Sequence, residues 1–156
     1  MCANRGIDES FETTQGNDLN LSATKWSDTN VHRAQLCSVT DFKKLKVWQK
    51  AHVMTLDVHR VAGQIKGAKH ASLRSRILKG AMSVPTNIAE GSSQQSAHEF
   101  SRFLRIALNS TTQLEYHLLA ARDLKAVRPT DCLTLMSQVI EVRKMLHGLL
   151  RYLTHM

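Results

Sequence analysis

The sequence predicts an all-α protein, an antiparallel up-down-up-down four-helix bundle with a polar N-terminal extension. Three observations carry this expectation. The 156 residues include only two prolines and seven glycines, and aromatic residues make up 5%, too little for the turn-dense, aromatic-rich pattern of an all-β chain. Beyond residue 40 the apolar residues recur at steps of three and four, the beat of one helix face, in four successive stretches. The connections between those stretches are short and polar, which favours neighbouring helices that run in opposite directions. A hydrophobic share of 42% and a mean hydropathy of −0.26 suit one globular domain with a real core. No run of eighteen apolar residues occurs, so no membrane span is expected.

Residues 1–40 are rich in Asn, Asp, Thr, Ser and Gln, and their few large apolar residues keep no period, so they are expected to be a mobile polar leader. The opening MCANRGIDES has no apolar stretch and is not expected to be a secretory signal. The bundle domain is placed at 41–156. Its first helix is expected from about Asp41, as cap, to Gly63, as terminator, with Val47, Ala51, Met54, Val58 and Val61 on the inner face. Trp48, His52, Thr55 and His59 form a second stripe beside it, and the linker GQIKGAKH follows. The second helix carries Leu73, Ile77, Ala81, Val84 and Ile88 on one face and Leu78, Met82, Pro85 and Ala89 on an adjacent apolar strip. Only a narrow polar stripe remains (Arg76, Lys79, Ser83, Asn87, Glu90), so this helix is expected to be buried on most sides and to end at a left-handed Gly91. Ser96 to Glu99 reads as a capping box opening the third helix, whose face is Phe100, Phe103, Ala107, Thr111, Leu114, Leu118 and Ala121. After DLKAVRPTD, a fourth helix is expected with Leu133, Met136, Ile140, Leu146, Leu149 and Leu153 inward and Arg143 as the misfit.

The segment SVPTNIAEG (83–91) is the least ordinary part of the chain. A proline inside a helix costs roughly 3 kcal/mol, and Pro85 cannot donate to the carbonyl of Ala81, which leaves an open acceptor. Two readings stand. In one, Ser83, Asn87 and Glu90 satisfy buried polar groups around the interruption. In the other, Pro85 and the Asn87–Glu90 pair form a subunit contact or ligand niche.

The formal net charge of +8 is uneven: residues 1–40 hold three basic and five acidic side chains, and residues 41–156 hold eighteen and eight. The basic residues cluster as Lys43, Lys44, Lys46 and Lys50, then Lys66, Lys69, Arg74, Arg76 and Lys79, then Arg102 and Arg105. Such clusters suit phosphate neutralisation on RNA or DNA, or simply a solvated surface, while the scarcity of aromatics argues against base stacking. The eight histidines lack the paired E-x-x-H elements of di-metal bundles, and Cys2, Cys37 and Cys132 fit neither a zinc site nor a disulfide framework, so no metal and no cofactor are expected and a cytoplasmic setting is. An RNA-cleaving bundle would use an arginine and a histidine on one helix, and Arg143 and His147 are i,i+4, but no second nucleophile or acid lies nearby in sequence, so no catalytic residue is assigned.

DFKKLKVWQKAH, SVPTNIAEG, HEFSRFLRIALNSTTQLE and EVRKMLHGLLRYL, in that order over about residues 40–153, resemble the 23S rRNA-intervening-sequence proteins. The resemblance implies a small cytosolic bacterial protein, a left-handed bundle and a ring-like homopentamer. It extends to accessory variability proteins of diversity-generating retroelements, which implies nucleic acid and a polymerase-like protein as partners. Gln113 departs from the family by replacing a carboxylate, as does the linker at Ile65 to Ala68. The expectation is a non-enzymatic, self-associating bundle that binds structured RNA or other nucleic acid as an accessory factor, with a pure protein-binding scaffold as the alternative.

Overall fold

The computed structural model describes residues 41–155. Four helices, α1 (Lys46–Ala62), α2 (Ala71–Ser92), α3 (Ala97–Asp123) and α4 (Pro129–Thr154), form a four-helix bundle in which each packs on the next and α1 closes against α4. No strand occurs among the described residues. Contacts between α2 and α3 step in opposite directions along the two helices, from Gly91 beside Phe100 and Phe103, through Ser83 beside Ser110, to Gly80 beside Leu114.

The core follows the three-and-four spacing on α1 and on most of α2 and α3, except that Leu73 and Phe103 are half-buried and Leu104, not expected inward, is fully buried. Val47, Ala51, Met54, Val58 and Val61 of α1 are buried against Ile77, Ala81, Val84 and Ile88 of α2 and Phe100, Leu104, Ala107, Leu114 and Leu118 of α3. On α4 the buried line is Cys132, Leu135, Val139, Val142, Leu146 and Leu153, one position away from the expected Leu133, Met136 and Ile140. Leu133 is 66% exposed, and Met136 and Ile140 are half-buried. Two apolar stripes lie side by side on this helix, and spacing alone does not choose between them. The Arg143 edge lies against α3, where its guanidinium pairs with Glu115.

Helix ends also differ from expectation. Asp41 caps a short 3-10 turn, Phe42–Lys44, accepting from the Lys43 amide at 3.1 Å, and α1 itself starts later, behind Leu45, with no side-chain cap. Gly63 stays right-handed at φ −60°. The left-handed glycine is Gly67 at φ 90°, within a linker whose Ile65 is buried in the core.

Gly91 does not end α2; it lies one residue inside it. A Cβ there would fall 2.7 Å from both Phe100 Cδ2 and Phe103 Cβ, so the glycine permits close helix approach rather than a turn. At α3, Ser96 Oγ accepts from the Glu99 amide at 3.1 Å, but the Glu99 carboxylate turns to Arg102 instead of completing a reciprocal box. The outer strip of α2 is less covered than expected within one chain: Pro85 is buried, Leu78 and Ala89 are half-buried, and Met82 is 48% exposed.

Candidate nucleic-acid interface

Pro85 sits within an uninterrupted α2, and the carbonyl it leaves open finds its donor on another helix. Thr55 Oγ1 lies 2.9 Å from Ala81 O and 2.8 Å from Ala51 O, so one hydroxyl proton serves two buried acceptors. Thr86 and Asn87 donate within α2, to Met82 O at 2.9 Å and Ser83 O at 2.7 Å. Asn87 also donates to Ser83 Oγ at 3.1 Å. Ser83 Oγ is 2.8 Å from Ser110 Oγ, which donates to Ile106 O at 2.9 Å. A relay of small polar groups thus joins α2 to α3. Glu90 stands outside it: its side chain is exposed and makes no bond to Asn87. Of the expected group, Ser83 and Asn87 therefore satisfy polar groups and Glu90 does not. Thr55 and Ser110, which do the same work from neighbouring helices, are invisible to any single-helix reading.

The carboxylates of the bundle are largely spent on specific cations. Glu141 holds Lys50 at 2.8 Å across α1 and α4, Asp57 holds Arg60, Glu99 holds Arg102, Asp123 holds Arg122, Asp131 holds Arg128, and Glu115 holds Arg143 across α3 and α4. The forked contact from Asp131 pushes the Arg128 guanidinium further up from its already high value. Gln113 is exposed and takes no part in these pairs.

Among the eleven basic residues singled out, three are engaged. Lys50 is bound to Glu141, Arg102 is bound to Glu99 and lies 4.8 Å over the Phe103 ring, and Arg74 donates to Ile65 O at 3.2 Å. Lys43, Lys44, Lys46, Lys66, Lys69, Arg76, Lys79 and Arg105 are exposed and have no ion pair among the described residues. They do not crowd one spot. Two helical turns beyond the Ser83–Ser110 pair the register sets Arg76 level with His117, fifteen residues along α3 from Arg102, a rise of about 22 Å. Lys43, Lys44 and Lys46 gather instead at the other end, where α1 begins.

His117 is packed into the α2–α3 seam with its Nδ1 buried and without a partner. Burial, aided by the Arg76 charge, holds its imidazole below the ordinary value of 6.5. Burial likewise pushes the Cys132 thiol up, with Asp123 adding and Arg122 opposing. No cluster of His, Cys, Asp and Glu able to hold a metal occurs among the described residues. Arg143 is committed to Glu115, and His147, one turn on, is exposed.

The family model for the 23S rRNA-intervening sequence protein matches residues 43–148. The chain belongs to this family. The match covers the turn before α1 and ends within α4, so it takes in every basic cluster described above and the Pro85 segment. Among solved structures, the 23S rRNA-intervening sequence family chain is similar to a protein of unknown function from the S23 ribosomal protein family of Bacteroides thetaiotaomicron VPI-5482. The two are 21% identical, with 67% of this chain and 97% of that chain covered and a TM-score of 0.63. That likeness concerns the fold. No curated protein matches the chain.

Proposed function

We propose that this chain is a non-enzymatic accessory protein that self-associates and binds structured RNA, or another nucleic acid, through phosphate contacts. The observation that carries the reading is the set of exposed cations without a carboxylate partner among the described residues, which includes Lys43, Lys44, Lys46, Arg76, Lys79 and Arg105. Unpaired lysines and arginines at a surface release counterions when they meet phosphates, and an assembly multiplies the effect. The family name supports RNA as the polyanion.

Self-association is supported by apolar groups that one chain leaves in water: Val53 and Leu56 on α1, Met82 on α2, Tyr116 on α3 and Leu133 on α4 are each about half exposed or more. A homopentamer, the arrangement that the family resemblance implies, covers such faces by repeated head-to-tail contacts. Pro85 and its neighbours support the assembly by fixing the α1–α2–α3 register rather than by touching ligand.

Purified protein washed with salt and assayed for copurified nucleic acid tests the reading, with sedimentation velocity on the same sample. Nucleic acid that elutes at higher salt, together with a multimer at micromolar concentration, is the expected result. A monomer that carries no nucleic acid and binds none at low salt overturns it. Retained assembly with no affinity for RNA, but capture of an acidic protein surface, favours the scaffold reading.

A further inference from the structure

We infer that the Trp48–His52 pair is a stacking platform for an unpaired base in a single-stranded stretch of nucleic acid, with Lys43 and Lys44 beside it for the flanking phosphates. The inference rests on the nucleic-acid reading above and adds to it a mode of recognition that phosphate contacts alone do not provide.

The geometry is specific. Trp48 and His52 are one turn apart on α1, and their rings are parallel, 7° between planes and 5.0 Å between centroids. Phe42, from the turn that precedes the helix, meets Trp48 edge-on at 4.8 Å and 64°. Trp48 is half-buried and packed on the core, so its orientation is held from two sides. His52 is exposed, makes no hydrogen bond or ion pair among the described residues, and so has a ring face free to take a further planar group. A base laid on it would extend a stack that is already built, which lowers the ordering cost of binding.

The surroundings select an anionic occupant. Phe42 is followed directly by Lys43 and Lys44, both exposed and without an ion pair among the described residues, and Lys46 opens α1. The neighbouring carboxylate, Asp41, accepts from the Lys43 amide at 3.1 Å. Cations on the same short segment as an aromatic stack are the combination by which proteins hold single strands, where each stacked base adds roughly 5- to 100-fold in affinity. An unpaired loop or bulge of a structured RNA presents such a base, whereas a closed duplex does not. Counting Phe, Trp and Tyr alone misses the platform, because half of it is histidine.

The test uses the full chain with Trp26→Phe, so that Trp48 is the remaining indole. The probes are oligo(U), oligo(dT) and an abasic strand of equal length and charge. Oligo(U) or oligo(dT) is expected to quench Trp48 emission and to bind roughly 5- to 100-fold more tightly than the abasic strand. His52→Ala is expected to erase that preference while leaving the salt dependence unchanged, and His52→Phe to retain it. Lys43→Gln with Lys44→Gln should flatten the salt dependence while the preference survives. Equal binding of abasic and base-bearing strands, or a preference that survives His52→Ala, overturns the platform and leaves the phosphate reading intact. If no strand binds even at low salt, both are overturned.

Discussion

Removing the Thr55 hydroxyl is the sharpest way to test how the bundle tolerates Pro85. The carbonyl of Ala81 is fully buried and its usual donor, the amide four residues on, is missing because that residue is proline. Thr55→Val keeps the side-chain shape and deletes the proton that Ala81 O receives at 2.9 Å. A buried acceptor left empty costs about 1–3 kcal/mol. Pro85→Ala restores an amide at the right place, so in that background Thr55→Val should cost close to nothing. The two substitutions should therefore couple by about 1–2 kcal/mol, well beyond the roughly 0.5 kcal/mol scatter of independent sites. Urea denaturation of the four proteins of the cycle, at one fixed protein concentration and with equal m-values, gives the number. A cycle that closes additively would show that Thr55 does not serve the proline carbonyl. The helix would then keep its proline for some other reason.

Gly91→Ala should destabilise by about 1–2 kcal/mol in the same assay despite its better helix propensity, because Phe103 Cβ is 2.7 Å away and cannot swing aside. Gly148→Ala, with nothing within 4 Å of the new methyl, should instead stabilise by about 0.5–1 kcal/mol. Glu115→Gln should cost about 1–2 kcal/mol, because Glu115 and Arg143 are only 23% and 30% exposed, whereas Glu141→Gln, which frees half-exposed Lys50, should cost under about 1 kcal/mol. His117 is held below its ordinary value in the folded chain, so the unfolded chain takes up a proton first as the pH falls. Its contribution to stability is complete above pH 6.5 and is lost progressively below it, and His117→Gln should flatten the fall of Tm with acidification over that range.

Much of the fold is legible because its causes are local. The apolar beat of α1 to α3, the Ser96 cap and the open Ala81 carbonyl each follow from residues within a few positions of one another. What could not be read depends on partners far along the chain. Thr55 is twenty-six residues from the acceptor it serves, and Gly91 acquires its meaning only from the phenylalanines of the next helix. The inner face of α4 is ambiguous for a different reason, since Leu133 and Met136 are as apolar as Cys132 and Leu135, and only packing against α1 and α3 distinguishes the two stripes. Charge singles out the candidate basic residues, but not which of them a carboxylate has already claimed. Lys46 and Lys50 are one turn apart on α1, and only Lys50 faces an acid.

That last distinction gives the most direct measurement of the central claim. RNA affinity, followed as a function of salt, should fall steeply for the unaltered protein, by about 1,000-fold between about 50 and 200 mM if six phosphates are neutralised. Lys43→Gln, Lys44→Gln and Lys46→Gln together should reduce the slope by nearly one unit for each lysine replaced, while Lys50→Gln leaves it almost unchanged. A shallow slope in the unaltered protein, or an equal effect from Lys50→Gln, would contradict the claim that the unpaired cations of this bundle are its phosphate-binding groups.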